Sequence, residues 1–406
     1  MKWRMFICAI CFLIGGCSLN IPLEDQFSDP DAITDVLSAR SLLASAYKAM
    51  PQQIFQLSVL SDDFCPSQHL NKDMSLQGLY NWREVEMTEL AGTLWAGYYA
   101  VIAEVNALLA RIDAVVTLDE TEKLEKMRIV CEAKALKSWC YFDLLRLFAP
   151  RYEGNENKDG IILKKRVELD FLPRSSVKEC VTEIRTLLNE ARNVDNTQKN
   201  VYWLSDKAVA YLQVELELYA GNYPAVLELT KDLETEYPES VLGADVYKYL
   251  WSSENSDARI FGKYQLEQIY MDIRFDTFEK GDYLVLSQNV DYEEEDIRKE
   301  WSEIPFVMPD AKNVRLLGKY NKMNRDKVAS KYVNVARAAG MWLMRVEALA
   351  RSGKEGDAVA LANRMLKQRG ATEWSTNIAG NELISKILIE RQKEYVGEGK
   401  LFLFDN

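Results

Sequence analysis

The sequence contains a single histidine, His69, and this scarcity argues against several classes of enzyme. A histidine-rich zinc or iron site cannot be built from one histidine, and any Ser-His-Asp or Cys-His catalytic unit would have to use this residue. The chain also lacks the GxxxxGK[ST], HExxH and GxSxG motifs, so neither a nucleotide-binding loop nor a hydrolase site is indicated. We expect His69 to be a polar loop residue.

The seven cysteines give no sign of metal or redox chemistry either. Cys8, Cys11 and Cys17 belong to the N-terminal segment, and none of the other four is part of a CxxC pair. Two of those four, Cys131 and Cys140, lie nine positions apart on one predicted helix, which is too far for a disulfide. We expect Cys65, Cys131, Cys140 and Cys180 to be buried free thiols.

Positive charge is scarce as well, because the formal net charge is −12. Nucleic-acid grooves and basic membrane-surface patches both need concentrated lysine and arginine, so neither is predicted. With 406 residues, of which 48% are hydrophobic and 28% charged, the chain can instead bury a large core. No cofactor and no metal is indicated.

The N-terminus has the features of an export signal. Lys2 and Arg4 precede an apolar run from Met5 to Ile14, and Gly15-Gly16-Cys17 resembles a bacterial lipobox. The run is too short to span a bilayer, so we predict a signal peptide over residues 1–16 and lipidation of Cys17, for example by palmitate. The alternative is a plain secretory peptide cut elsewhere, but an A-x-A pattern is missing.

Two distant segments have the same helical layout. Ser205–Thr235 carries apolar residues at helical spacing on both sides of Gly221-Asn222, and Ala338–Ala371 does so around Ser352-Gly353. Paired helices with small residues at the break resemble tetratricopeptide repeats, which stack because one hairpin cannot bury its own apolar face. An ordinary helical domain without true repeats is the alternative.

Apolar spacing and capping residues predict further helices along the chain. Helices are predicted over about 31–50, 90–112, 117–148, 176–192 and 381–396, with capping boxes at Thr117/Glu120 and Ser176/Glu179. Two stretches lack a sustained period. The first, from Phe64 to Thr88, is predicted to be a long, ligand-facing loop, with an ill-ordered insertion as the alternative. The second, over 237–330, is predicted to consist of short strands and loops.

Several blocks, in this order, resemble the SusD/RagB family. "LWAGYYAVIAEVNALLARI" from Leu94 is similar to the family's "W..lY..I...N.ll..i", and "CEAKALKSWCYFDLLRLFA" from Cys131 is similar to its "aEa.alRa..Yf.L...fg". "ERQKEYVGEG" from Glu390 matches "ER..El..EG" at every fixed position. One departure is Gly340, which stands where the "R.aE" block has glutamate.

The resemblance implies a mostly α fold, a SusD-like α-α superhelix of tetratricopeptide-like hairpins beside a loop-rich subdomain with short strands. The SusD-like domain would comprise residues 17–236, an irregular insertion over 237–330 and a completing helical region over 331–406. The resemblance further implies a non-catalytic outer-membrane lipoprotein at the cell surface. Such a protein binds oligosaccharides and passes them to a SusC-like TonB-dependent transporter.

Sugar binding uses aromatic faces flanked by polar side chains, so the candidates are aromatic residues of the irregular stretches. We predict that ligand contacts come from five residues, with Trp82 and Trp301 as stacking platforms: Asn81, Trp82, Tyr283, Tyr292 and Trp301. Three other tryptophans have the helical spacing of core residues: Trp95, Trp139 and Trp342.

Two other functions are compatible with the sequence. A glycosidase would need paired carboxylates, which Asp62-Asp63 or the acidic run 293–296 could supply, although such runs are usually solvated. A structural or peptide-binding surface protein could use the same scaffold without any affinity for sugars.

Overall fold

A computed structural model describes residues 33–66, 74–168, 170–192, 194–197, 200–252, 255–264, 284–308, 311–320 and 332–400. Helices dominate this part of the chain, as predicted. The helices are α1 Val36–Ala49, α2 Ile54–Leu60, α3 Met74–Tyr80, α4 Glu84–Arg111, α5 Glu120–Phe148, α6 Val177–Glu190, α7 Asp206–Tyr219, α8 Tyr223–Leu229, α9 Leu233–Glu236, α10 Ala244–Tyr247, α11 Ile297–Ser302, α12 Ala338–Arg351, α13 Glu355–Arg369 and α14 Gly380–Tyr395. His69 and Cys17 lie outside the described residues.

In the part of the chain that the structure describes, six short strands form two antiparallel sheets. They are β1 Phe64–Pro66, β2 Arg259–Tyr264, β3 Leu284–Leu286, β4 Glu303–Val307, β5 Asn313–Leu317 and β6 Tyr332–Arg337. One sheet has four strands in the order β1-β3-β5-β4, and the other pairs β2 with β6. The predicted short strands of the 237–330 region are therefore present, and β1 joins them from the N-terminal region.

Both predicted hairpins are confirmed. Helices α7 and α8 pack together, as do α12 and α13, and α12 also contacts α7, α8 and α14. Gly221 (φ +67°) and Gly353 (φ +74°) lie at the two turns, in a left-handed backbone conformation that favours glycine. The small residues Ala348 and Ala350 of α12 are buried, which is consistent with close helix crossings.

The N-terminal helices α1, α4, α5 and α6 pack around a continuous apolar core. By length and mean hydropathy α4 could cross a membrane, but it packs against α1, α3 and α5 as a core helix does. The capping box at Ser176 and Glu179 is confirmed. The one predicted at Thr117 is wrong, because Asp119 caps α5 by accepting a hydrogen bond from the amide of Glu122.

Two further predictions need correction. The stretch Phe64–Thr88 is not one long loop, since it contains β1, α3 and the start of α4. Helix α3 has only 7 residues, too few to show a period, and two buried leucines, Leu76 and Leu79, hold it in place. The four described cysteines are free thiols as expected, but Cys65 on β1 is exposed while the other three are buried.

Eight buried charges connect α14 to the irregular region, and we call them the Glu394 cluster: Asp296, Arg298, Lys319, Arg337, Arg369, Glu390, Glu394 and Glu398. Glu394 accepts hydrogen bonds from Arg337 (2.6 Å) and Arg369 (2.8 Å) and lies 3.3 Å from Arg298. Lys319 donates to Glu398 at 2.8 Å. Four positive and four negative groups are thus paired within a sealed interior.

The Glu394 cluster accounts for the block "ERQKEYVGEG". Burial alone would raise the pKa of Glu394, but the guanidinium groups of Arg369, Arg337 and Arg298 hold that pKa well below its usual range. The glycines that follow have positive φ, +73° at Gly397 and +66° at Gly399. A Cβ atom at Gly397 would lie 2.6 Å from Leu317. This block therefore has a structural role.

Gly340 is explained by two tyrosines. The hydroxyls of Tyr211 on α7 and Tyr395 on α14 are 3.1 Å apart and hydrogen-bonded. A Cβ atom at Gly340 would lie 2.5 Å from the first hydroxyl and 2.3 Å from the second. The space that a glutamate would occupy is therefore filled by this tyrosine pair.

Candidate functional site

The four-stranded sheet joins the two stretches that the sequence singles out as ligand-facing. Phe64 of β1 pairs with Leu286 of β3, and Pro66 pairs with Leu284. Strand β5 then lies between β3 and β4, and β4 begins two residues after Trp301. Helix α3, which leads to Trp82, packs against β1. Segments more than two hundred residues apart in sequence are thus brought into one structural unit, which we call the sheet region (β1, β3, β4, β5, α3 and α11).

Trp82 is presented to solvent on the turn between α3 and α4. Its side chain is 57% exposed, and its backbone has a φ of +53°. A non-glycine residue in this conformation costs about 1 to 3 kcal/mol, so the surrounding structure must hold it there. The amide of Trp82 donates to Leu79 at 3.0 Å, and that of Arg83 donates to Gly78 at 2.9 Å. These backbone hydrogen bonds hold the turn, and the indole of Trp82 extends from it into solvent.

Asn81 lies next to Trp82 and is also exposed. Its side-chain amide donates to the carbonyl of Gln77 at 2.8 Å, and its backbone amide donates to the same oxygen at 3.1 Å. The side-chain oxygen of Asn81 takes no part in this bond and is of a type that can accept a hydrogen bond from a sugar hydroxyl.

The other predicted contacts differ from one another. Trp301 on α11 is partly buried and packs against the core. Tyr283 lies outside the described residues. Tyr292 does not fit the prediction, because it is only 4% exposed and its hydroxyl donates to the carbonyl of Lys393 at 2.7 Å. Burial raises the pKa of Tyr292. Its ring belongs to the core and cannot stack on a sugar in this structure.

The three tryptophans predicted to be core residues differ in how deeply they are buried. Trp139 and Trp342 are buried, as expected. Trp95 is only partly buried, with its ring centroid 4.9 Å from that of Tyr99, and it lines an open groove of about 710 Å³.

A second site was not predicted. Helices α5, α7, α12 and α14, together with residues 151–153 and Tyr223 of α8, border an open space of about 210 Å³, which we call the interhelical cavity. Its lining combines aromatic rings with charged groups: Phe142, Arg146, Arg151, Tyr152, Glu153, Glu215, Leu218, Tyr219, Tyr223, Glu347, Arg351, Leu388 and Arg391. The interhelical cavity shares no lining residue with the sheet region.

Buried ion pairs form the wall of the interhelical cavity. Arg146 lies 2.5 Å from Asp143 and 3.5 Å from Glu215, and its guanidinium is 4.1 Å from the centre of the Phe142 ring. On the opposite side Glu347 accepts hydrogen bonds from Arg351, at 2.7 Å, and from Arg391. Desolvation would raise the pKa of Glu347, but Arg391 and Arg351 lower it.

Glu215 is one of the buried polar residues with an unsatisfied side-chain atom. Its side chain is 3% exposed, and its Oε1 atom accepts no hydrogen bond. Arg146 at 3.5 Å and Lys400 at 3.7 Å balance its charge at longer range. A signal for these residues existed in the sequence, since Glu215 and Arg146 interrupt the apolar runs "YLQVELELY" and "DLLRLF". Charges on a buried helical face indicate either a partner or a cavity.

The fold itself is shared with solved proteins of one group. A SusD-like carbohydrate binding protein from Bacteroides vulgatus superposes with a TM-score of 0.75 at 17% identity, covering 91% of this chain and 83% of that one. A SusD superfamily protein from Bacteroides thetaiotaomicron gives 0.76 at 18% identity, covering 91% and 88%. One from Bacteroides fragilis gives 0.71 at 20%, covering 92% and 90%. The chain has the SusD fold.

A comparison of the sequence with family models leads to the same group. Residues 23–214 match a SusD-like family whose description reads "Starch-binding associating with outer membrane". The chain is therefore similar to this SusD-like family over residues 23–214 and shares its fold with the solved SusD-like proteins. Among curated proteins, none is significantly similar to the chain.

Proposed function

We propose that this protein is a lipid-anchored component of the outer membrane that binds oligosaccharide nutrients at the cell surface. It delivers them to a SusC-like TonB-dependent transporter and catalyses no reaction itself. The family description, starch-binding and associating with the outer membrane, supports the ligand class and the location. The predicted export signal with Cys17 supports the anchor.

One observation carries the ligand-binding part of the proposal, namely the exposed indole of Trp82 on its fixed turn. An aromatic face held in solvent stacks on the apolar face of a pyranose, and neighbouring polar groups bond its hydroxyls. Asn81 supplies such a group beside Trp82. Trp301 belongs to the same sheet region and is partly exposed, and we propose it as a second contact.

The test starts with a glycan array, which identifies an oligosaccharide that binds the wild-type protein. Calorimetry then compares Trp82→Ala and Trp301→Ala with Phe171→Ala, which removes a fully exposed aromatic ring elsewhere. Loss of one stacking ring costs on the order of 1 to 3 kcal/mol, or roughly ten-fold to over a hundred-fold in affinity. We expect this loss for Trp82→Ala, a smaller or equal loss for Trp301→Ala, and none for Phe171→Ala.

Failure has two recognisable forms. If no glycan binds the wild-type protein, the ligand class is wrong and a structural or peptide-binding role gains support. If a glycan binds equally well to Trp82→Ala, with circular dichroism showing a folded protein, the binding surface lies elsewhere.

The anchor and the partner have separate tests. Mass spectrometry of protein extracted from membranes should find an acylated N-terminal Cys17, and an unmodified chain that begins at another residue would contradict the anchor. Purification from outer membranes in mild detergent should recover a transporter barrel with the protein. Repeated recovery of the protein alone would contradict delivery to a transporter.

A further inference from the structure

We propose that the interhelical cavity binds one neutral sugar ring, such as the terminal hexose of an oligosaccharide, at a site separate from the sheet region. The proposal rests on the proposed function in so far as the ligand is a carbohydrate. It adds a second binding site and states which sugars that site accepts, namely uncharged hexoses, one residue at a time.

The size of the cavity limits the ligand to a small molecule. Its volume of about 210 Å³ is below the roughly 300 Å³ at which pockets for drug-sized ligands begin. One sugar ring is a ligand of this size. Because the space is open to solvent, an oligosaccharide can enter with one terminal residue while the rest of its chain stays outside.

The charges that line the cavity balance one another. Arg146 is paired with Asp143, and Glu347 is paired with both Arg351 and Arg391. An ionised ligand would therefore give up its hydration without meeting an excess of opposite charge. A neutral ligand does not incur this cost, so the balance of charges favours an uncharged molecule.

The same lining offers groups that can bond hydroxyls. Arg351 donates to Glu347 through Nε at 2.7 Å, and its terminal Nη groups take no part in that hydrogen bond. The side chain of Arg351 is 35% exposed. Arg151 and Glu153 are exposed and opposite in sign. Because a hydroxyl both donates and accepts, the several hydroxyls of a hexose can bond guanidinium and carboxylate groups at once.

Aromatic rings supply the apolar part of the lining. Tyr219 packs edge-on against Phe142, with ring centroids 5.5 Å apart, and the ring of Tyr152 lies 6.4 Å from that of Tyr219. Tyr152, Tyr219 and Tyr223 line the cavity and are all partly exposed. Tyrosine rings pack against the C–H face of a pyranose. The site therefore suits a small neutral molecule with an apolar ring face and hydroxyls at its edge, and a hexose has both.

The experiment titrates the purified full chain with D-glucose, D-galactose and D-mannose, with saturation-transfer NMR or calorimetry as readout. We expect saturable binding of at least one of these hexoses in the millimolar range. The corresponding uronate, which carries a carboxylate, and glycerol, which lacks a ring, should bind at least about ten-fold more weakly than that hexose. If no hexose binds, the proposal is wrong. Equal binding of the uronate would overturn the assignment of a neutral ligand, and equal binding of glycerol would overturn the assignment of a sugar ring.

Variants locate the binding. Tyr152→Ala removes a partly exposed ring of the lining and should weaken hexose binding by about ten-fold or more, the loss expected for one stacking ring. Tyr264→Ala is the matched control, because Tyr264 is 42% exposed and does not line the cavity. Hexose binding that is unchanged in folded Tyr152→Ala would overturn the proposal.

A second variant decides the matter if Tyr152→Ala does not fold. Arg351→Gln removes a charged donor from the lining and should weaken hexose binding by about ten-fold or more, the loss expected for a charge-assisted hydrogen bond. Arg166→Gln is its control, since Arg166 has a side chain 76% exposed and does not line the cavity. Equal hexose binding in Arg351→Gln and Arg166→Gln would contradict the proposal.

Failure of this proposal is distinguishable from failure of the proposed function. Trp82→Ala should leave hexose binding unchanged while it weakens oligosaccharide binding at the sheet region. If Trp82→Ala abolishes both, the interhelical cavity is not a separate site and the proposal is wrong. Hexose binding that depends on Tyr152, in a protein that binds no glycan through Trp82, would support the cavity and contradict only the surface proposed around Trp82.

Discussion

The Glu394 cluster and the interhelical cavity contain the same kinds of residue and differ in how those residues are packed. In the cluster, Glu394 has three arginines around it and the region is sealed from solvent. In the cavity, Glu215 is equally buried, but its Oε1 atom accepts no hydrogen bond and the charges border an open space. Both regions contain a buried polar atom without a hydrogen-bond partner, Arg369 Nε in the cluster and Glu215 Oε1 beside the cavity, so the two regions differ mainly in their access to solvent.

Two tyrosines separate these regions. The ring of Tyr395 lies 4.6 Å from the guanidinium of Arg337 on the cluster side. The ring of Tyr211 lies 5.0 Å from the ammonium of Lys400, which is 3.7 Å from Glu215 on the cavity side. The hydrogen bond between the two hydroxyls therefore connects a structural region to a candidate site.

The largest expected effect comes from breaking the cluster. Glu394→Gln removes the negative charge that three buried guanidinium groups share. Loss of one partner from a buried ion pair typically lowers the free energy of unfolding by about 3 to 5 kcal/mol. Urea denaturation should show a fall of this size in the free energy of unfolding. Glu228→Gln, at a side chain 72% exposed, is the control and should change it little. A loss below about 1 kcal/mol for Glu394→Gln would contradict the structural role of the cluster.

A buried carboxylate without an arginine partner sharpens the comparison. Asp63 is fully buried, its Oδ2 accepts a hydrogen bond from the amide of Gly397 at 3.0 Å, and desolvation raises its pKa to about 7. Between about pH 4 and pH 7 the native state keeps a proton on Asp63 that the unfolded chain has already released. The contribution of Asp63 to stability is therefore full below about pH 4 and is lost as the pH rises to about 7. Three pKa units correspond to roughly 4 kcal/mol at most.

The measurement compares denaturation of the wild-type protein and Asp63→Asn at pH 5 and pH 8. The variant should lose less stability than the wild type over this interval, because an amide does not titrate. Asp257→Asn, at an exposed position, should behave like the wild type. An unaltered pH dependence in Asp63→Asn would show that Asp63 is ionised throughout.

A smaller effect is expected at the boundary between the two regions. Gly340→Ala places a methyl group against the hydroxyls of Tyr211 and Tyr395, and overpacking of this kind costs about 1 to 3 kcal/mol. Gly92→Ala is the matched control, because no atom lies within 4 Å of its Cβ position in helix α4 and alanine favours a helix. Thermal unfolding should therefore shift in opposite directions for the two variants. Equal stability of Gly340→Ala and the wild type would mean that the tyrosine pair can move apart.

The helical hairpins could be predicted because their determinants are local. Apolar spacing marks each helix, and Gly221 and Gly353 mark the turns where the backbone becomes left-handed. The block "ERQKEYVGEG" could be matched to a family pattern, but its role could not be read from the sequence, because its partners Arg298, Lys319 and Arg337 come from other segments.

The candidate site could be predicted only in part, because its geometry depends on contacts between distant segments. Trp82 could be predicted as a ligand contact because it is an aromatic residue in a polar stretch, and the structure shows that it is exposed. Tyr292 has the same kind of sequence surroundings and is nevertheless buried, because α14 packs over it and accepts its hydroxyl hydrogen at Lys393. No local pattern distinguishes these two residues. The interhelical cavity is bordered by helices of distant segments and was missed for the same reason.

The central claim is that a bound oligosaccharide covers Trp82. Hydroxyl-radical footprinting, read by mass spectrometry with and without a saturating glycan, measures this directly at each aromatic residue. We predict that the glycan strongly protects Trp82 from oxidation, while Phe171, which is also exposed, is oxidised equally in both states. Unchanged oxidation of Trp82 under conditions where calorimetry shows full saturation would contradict the claim.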